Sequence, residues 1–246
     1  TEGFEGTQDP PEGWKNKDNG TVGFAWLKTT TASGFGGSVN AMMFDNWSWN
    51  GVGQRDELQV KKITLSALTT ANMSFDVAYQ AYNSSFDSLI VRVSSDCGNT
   101  YTRLYAKGGA NLSTAGAGSS EFIPTAVQWR TENINLNAFI GQNIIIEFQN
   151  YNAFGNNIYI DNVNLNGTAS IVSSAGANGA ISPNGATSVT LGSNQNYTIS
   201  PGSCYTIQDV LVDGISQGAI SNYTFNNVNT SHTINATFTP ITYTIN

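Results

Sequence analysis

Apolar and polar residues alternate along this chain in short runs. Residues 73–79 read Met-Ser-Phe-Asp-Val-Ala-Tyr, and residues 87–94 read Asp-Ser-Leu-Ile-Val-Arg-Val-Ser. Residues 143–148 (Asn-Ile-Ile-Ile-Glu-Phe) and 157–165 (Asn-Ile-Tyr-Ile-Asp-Asn-Val-Asn-Leu) complete the clearest set. A period of two places alternate side chains on opposite faces of a strand. Clusters of Gly, Asn and Ser separate the runs, and nothing sustains an amphipathic helical pattern over three turns. The first 165 or so residues therefore predict an all-β fold, and their long connections fit a two-sheet jelly-roll sandwich better than a small immunoglobulin-like domain. Further on, shorter strands are expected at 169–173, 187–191, 196–200, 205–212, 222–226 and 232–238. The turn signals between them include Ala-Gly-Ala-Asn-Gly (175–179), Ser-Pro-Asn-Gly (182–185) and Val-Asp-Gly (212–214).

Composition divides the 246 residues in two. Residues 1–166 hold all 10 Lys and Arg and 15 of the 17 acids, whereas residues 167–246 have no Lys, Arg or Glu and only Asp209 and Asp213. The expected boundary lies at Asn166-Gly-Thr168, giving a jelly roll over 1–166 and a small β-rich domain over 167–240. After Phe238-Thr-Pro240, the segment Ile241-Thr-Tyr-Thr-Ile-Asn246 looks like the start of a following repeat. The chain opens at Thr1 without Met, and reads as a processed or excised piece of a longer protein.

Charge and residue counts narrow the chemistry. Asn, Ser and Thr supply 80 residues and charged residues only 11%, so solubility rests on amides and hydroxyls. A net charge of −7 with 10 basic residues argues against a nucleic-acid partner, which requires clustered cations. No apolar run approaches the ~20 residues of a spanning helix, so no membrane insertion is expected. Cys97 and Cys204 are too few for a zinc quartet or disulfide framework, and are expected to be unpaired and buried. The one histidine, His232, would have to serve any Ser-His-Asp triad; its strand-like surroundings read as structural.

Four segments carry a resemblance. They are Glu2-Gly-Phe-Glu-Gly with Pro10-Pro-Glu-Gly-Trp14; Leu65 through Phe75-Asp-Val-Ala-Tyr79; Asp87 through Cys97-Gly98; and Gly155-Asn-Asn-Ile-Tyr-Ile-Asp-Asn-Val163. Together they resemble the cleaved-adhesin, or choice-of-anchor J, jelly-roll domain of Bacteroidota secreted proteins, often peptidases and adhesins, which is akin to MAM domains and calcium-carrying carbohydrate-binding modules. Residues 169–239 resemble a divergent internalin-B-type bacterial repeat, through Ala175–Gly185, Tyr205–Gly214, Tyr223-Thr-Phe and His232-Thr-Ile. That family has Gly where Cys204 stands, so the local turn is expected to differ. These resemblances imply a secreted or cell-surface location, neighbouring domains in a longer chain, and no catalysis in the repeat.

The first resemblance also implies a structural Ca²⁺ site. An acid in the Phe-Glu-Gly start, another about 40 residues on, and the Asp of Tyr-Ile-Asp-Asn-Val converge in such folds; here these are Glu5, Asp45 and Asp161. Six to eight oxygens are needed, so carbonyls such as that of Gly3, with Trp47 or Ser48, would complete the shell. For ligand binding the candidates are rings beside Asn and Asp: Trp47 and Trp49 in one loop, with Tyr82 and Tyr151. In an extended segment Trp47 and Trp49 point to opposite sides. Trp47 is expected inward and Trp49 outward as a sugar platform, with Trp14, Trp26 and Trp129 in the core. A glycosidase needs two carboxyls at a set spacing; Glu147, Asp56, Glu57 and Glu121 are the acids available, and no Glu-x-Asp-x-Glu run exists. Asp87-Ser-Leu resembles a short O-glycosylation motif at Ser88. The expected function is thus a calcium-stabilised, non-catalytic extracellular module for adhesion or for binding polysaccharide or cell-surface glycan. The alternative is an architectural spacer of a secreted peptidase or other hydrolase with no glycan binding of its own.

Overall fold

The computed structural model describes residues 2–19, 24–32, 38–83 and 85–243. It is all-β apart from short 3-10 turns. Two compact units form: Thr1–Ser66 with Asn72–Leu165, and Ala67–Ala71 with Asn166–Asn246. The second unit takes Ala67–Ala71 out of the segment that the sequence assigns to the first. Backbone explains this: Thr69 donates its N–H to the Thr168 carbonyl, and the Ser231 hydroxyl donates to the Ala67 carbonyl.

The first unit is a β-sandwich. Its strands are β1 (Lys15–Lys17), β2 (Leu27–Thr29), β3 (Ala41–Phe44), β4 (Arg55–Gln59), β5 (Ile63–Thr64), β6 (Thr70–Tyr79), β7 (Ser88–Ser94), β8 (Thr102–Gly108), β9 (Arg130–Asn135), β10 (Asn143–Tyr151) and the first part of β11 (Ile158–Ala175). One sheet runs β1-β4-β10-β7-β8, with β5 also on β10; in the other, β3 bridges β2 and β11, and β6 bridges β11 and β9. The expected alternation holds. In β7, Leu89, Val91 and Val93 are buried while Ser88, Ile90 and Arg92 face outward; in β10, Ile144, Ile146 and Phe148 point inward. Phe75 packs edge-on against Phe148 and Tyr105, and Trp14, Trp26 and Trp129 are buried as expected. Such rings contribute most of the apolar area a sandwich core removes from water. The chain start lies beside β11: Glu2 and Val163 exchange both backbone hydrogen bonds, at 2.7 and 2.8 Å.

The second unit uses residues 166–175 of β11 with β12 (Gly179–Ser182), β13 (Gly185–Thr190), β14 (Gln195–Pro201), β15 (Tyr205–Val212), β16 (Ile215–Ser216), β17 (Asn222–Phe225) and β18 (His232–Pro240). β11 pairs antiparallel with β13 and parallel with β18, and β12-β14-β17 form a separate three-stranded sheet. Ile171, Ile181, Val189, Tyr197, Ile199, Val210, Phe225 and Ile234 are buried in it. His232 is structural, its Nδ1 2.7 Å from the Asp213 carboxylate and its ring 4.8 Å from Phe225. Residues 241–243 form no strand, and 244–246 lie outside the described residues.

Both cysteines are free, as expected, but exposed rather than buried. Each sits in a turn with a left-handed backbone (φ 61° at Cys97, 64° at Cys204), so neither joins an inward-facing strand position. Cys204 keeps the φ that glycine adopts most easily.

Candidate functional site

The expected metal cluster is only partly assembled. Ser38 Oγ lies within hydrogen-bond distance of both the Glu5 carboxylate and the Gly3 carbonyl, and Asn40 Nδ2 donates to Glu5 at 2.7 Å. Asp161 is wholly buried; one oxygen accepts the Asn162 N–H at 2.7 Å and the other, Oδ2, has no hydrogen-bond partner among the described residues. Burial pushes its carboxyl up to about 6, and the charges of Asp76 and Glu5 add to the rise. Asp45 does not join them. β3 and β11 run antiparallel, with Phe44 opposite Ile158 and Met42 opposite Ile160. Asp161 therefore lies beyond the Met42 end of the ladder and Asp45 beyond the other, where it accepts the Ser48 N–H. Among the described residues no three His, Cys, Asp or Glu side chains gather as a metal cage. What stands near Asp161 is two carboxylates with neutral oxygens.

The loop tryptophans exchange their expected places. Trp49 is 8% exposed and stacks on Phe24, ring centroids 4.3 Å apart and 9° from parallel. It belongs to the core and is no platform. Trp47 is half-buried and meets Tyr82 edge-on at 5.1 Å. The two rings meet different partners, and Phe24, on a separate segment, is what covers Trp49.

The outer face of the β1-β4-β10-β7-β8 sheet carries a dense polar layer that sequence reading missed. Glu147 and Gln149 alternate with the core residues of β10, and Glu57 and Gln59 occupy the neighbouring β4. Arg92 donates Nε to Glu147 at 2.9 Å and Nη2 to Glu57 at 2.8 Å. Lys17 and the Tyr101 hydroxyl also donate to Glu147, and Gln149 Nε2 donates to Glu57 at 2.6 Å. Tyr101 lies under the Arg92 guanidinium at 4.6 Å. Both carboxylates are buried beneath these partners although they point away from the core. Burial raises the Glu147 carboxyl, but Lys17, Tyr101 and Arg92 together hold it below the usual glutamate range.

Toward the other end of these strands the layer opens into a shallow groove. Arg55, Tyr151, Ser88, Ile90, Ala106, Gly108, Arg103 and Lys107 line it. Tyr151, one of the expected ligand-binding rings, is half-buried there with the Arg55 guanidinium 4.8 Å from its centroid. Gly108 contributes to the low floor: a Cβ there would meet Ser88 Oγ at 2.1 Å and stand 3.0 Å from the Asp87 carbonyl, so a larger residue would displace the Ser88 side chain. Ser88 is half-buried in this floor. Beyond the same strand ends stand Phe86 (53% exposed) and Phe154 (42% exposed, φ 54°). Buried Asp87 holds both loops. Its carboxylate accepts the N–H groups of Ala153, Gly155 and Asn156 and the Tyr79 hydroxyl. Gly155 permits this, since a Cβ there would lie 2.0 Å from Asp87 Oδ2.

No protein-family model matches the chain, and no curated protein matches it. Solved structures do. The K3 cleaved adhesin domain of Lys-gingipain from Porphyromonas gingivalis is 20% identical, over 67% of this chain and 96% of that one, with a TM-score of 0.48. TmCBM61, solved with β-1,4-galactotriose, is 16% identical over 66% and 92%, with a TM-score of 0.42. The family 11 carbohydrate-binding module from Clostridium thermocellum, solved with a β-1,3-1,4-mixed-linked tetrasaccharide, is 15% identical over 66% and 91%, with a TM-score of 0.40. Among the described residues, no helix is long and apolar enough to cross a membrane.

Proposed function

We propose that the first unit is a non-catalytic carbohydrate-binding or adhesion module of an extracellular protein, and that its ligand lies on the outer face of the β1-β4-β10-β7-β8 sheet. One observation carries this reading: Tyr151, with Arg55 over its ring, stands in an open groove floored by Ser88, Ile90, Ala106 and Gly108. A flat ring beside a planar donor, above small side chains, suits a sugar that stacks through its C–H face and bonds through its hydroxyls. The neighbouring polar layer is already fixed by its own hydrogen bonds, so little side-chain freedom is lost when a ligand docks. Hydrolysis is disfavoured on this face. A glycosidase needs one protonated carboxyl beside a second carboxyl, whereas Arg92 bonds both Glu57 and Glu147 and Glu147 is held ionised.

Calcium belongs to this proposal as a structural ion. Glu5, Asp161 and the Gly3 carbonyl would hold it, with Asn40 beside them in place of the expected Asp45. The orphaned, buried Oδ2 of Asp161 fits an oxygen-seeking cation, which would offset the desolvation and repulsion now acting on that carboxyl. The second unit is proposed as a spacer repeat.

Affinity electrophoresis against a broad panel of plant, algal and bacterial polysaccharides tests the reading. The intact chain is expected to be retarded by at least one, and Tyr151→Ala to lose that retardation while keeping its melting temperature. No retardation by any polysaccharide overturns the proposal in favour of a spacer.

A further inference from the structure

Of the cations on the outer sheet face, Lys17 and Arg92 are neutralised by Glu57 and Glu147. Lys107, which also lines the groove, stands opposite inward-facing Leu89 and is neutralised by Glu132 of β9 at 2.7 Å. Arg55 and Arg103 differ. Neither makes an ion pair among the described residues. Arg55 donates only to the neutral Gln149 Oε1, at 3.1 Å, and rests on Tyr151; Arg103 is exposed. Both line the same groove, from opposite sides. Arg55 is on β4 and Arg103 on β8, with β10 and β7 between them. Three strand spacings, about 14 Å, lie between their strands. The register sets them four residues apart along the sheet, Arg55 level with Tyr151 and Ser88 and Arg103 level with Arg92. Their backbones therefore stand about 19 Å apart, and the two side chains reach the groove from diagonal corners.

We propose that this groove takes an anionic polysaccharide, one whose sugars bear carboxylate or sulfate, with Arg55 and Arg103 as its two anchors. The inference rests on the reading of the outer face as a carbohydrate surface and names the class of sugar. A chain of net charge −7 repels polyanions at long range, so a local pair of uncompensated guanidiniums is needed to hold one. Guanidinium presents paired N–H donors that match the two oxygens of a carboxylate or sulfate. Arg55 rests over the Tyr151 ring and uses Nη1 on Gln149, and its remaining N–H groups take part in no ion pair among the described residues. A neutral glycan has no group that calls for two such cations, and the carboxylates already on the face are engaged by other partners.

The test compares polygalacturonate, alginate and chondroitin sulfate with neutral galactan, xylan and mixed-linkage β-glucan, in 20 mM and 300 mM salt. At least one acidic polymer is expected to bind about 10-fold or more tighter than every neutral one, with carboxylated and sulfated polymers separating the two anion types. Arg55→Gln and Arg103→Gln should each weaken that binding about 10-fold with unchanged melting temperature, each difference amounting to one unsatisfied anion contact. The paired control Lys61→Gln/Lys62→Gln, outside the groove, should leave it unchanged. Tighter binding to a neutral polymer overturns this inference while the carbohydrate reading stands. Equal loss in the lysine control overturns it as non-specific charge attraction. Binding of poly-glutamate alone overturns it in favour of an acidic protein partner, and no binding to any glycan removes the carbohydrate reading as well.

Discussion

The backbone N–H of Asn156 donates to the buried carboxylate of Asp87 at 2.6 Å, across 69 residues of sequence. With Ala153 and Gly155 donating to the same group, one side chain fixes the loop that follows β10 to the residues that precede β7. Asp87→Asn keeps the shape but turns one oxygen into a donor facing backbone donors. It is expected to cost about 3 kcal/mol, the scale of hydrogen bonds to a charged group. Denaturant unfolding gives the cost. Faster hydrogen exchange at Ala153, Gly155 and Asn156 locates it, and unchanged exchange there would show that Asp87 does not hold the loop.

Trp49 and Trp47 should separate cleanly under mutation. Trp49→Ala removes a ring stacked on Phe24 and is expected to cost about 4 kcal/mol. Trp47→Ala loses an edge-on contact with Tyr82 and should cost about 1 kcal/mol. Equal costs by thermal unfolding would contradict these placements.

The charge layer predicts an acid response. The folded Glu147 carboxyl sits below its ordinary value, so its ionisation favours folding at pH above about 4.3. That contribution is lost as pH falls from there through the folded value. Stability measured from pH 7 to pH 3 should fall most steeply below about 4.3, and Glu147→Gln should flatten that slope. At neutral pH, Arg92→Met should destabilise by about 3 kcal/mol, because it leaves two buried carboxylates short of a cation.

Calcium should raise the melting temperature of chelator-treated protein, since a ligand that binds only the native state stabilises it by mass action. At 100 times its dissociation constant the gain is about 2.7 kcal/mol. Asp161→Asn should abolish the response and Asp45→Asn should leave it intact. A response lost with Asp45→Asn alone would restore the arrangement expected from sequence.

Sequence was most legible where neighbours decide the outcome. Alternation alone places Leu89, Val91 and Val93 inside and Arg92 outside. It also puts Trp47 and Trp49 on opposite sides of their segment, but cannot say that Phe24 covers Trp49. Asp56-Glu57 lies in none of the alternating runs that mark strands in the sequence; it becomes a strand because β4 pairs with β10, Glu57 opposite Gln149, and that pairing is what brings Glu57 to Arg92. The resemblance implies that Asp45 and Asp161 converge, but the antiparallel register of β3 and β11 sends them to opposite ends of one ladder, and register is not written in either residue's neighbourhood. Cys97 and Cys204 looked like buried thiols by residue type, and the left-handed turns that expose them depend on local backbone that residue type does not report.

The most direct measurement is an amide chemical-shift map of the intact chain titrated with an oligosaccharide from the polymer that binds best. Shifts are expected at Arg55, Ser88, Ile90, Arg103, Gly108 and Tyr151, with the second unit silent. Shifts confined to the Trp47–Gly53 loop or to residues after 166, or none at all, would contradict the assignment of the outer sheet face as the carbohydrate surface.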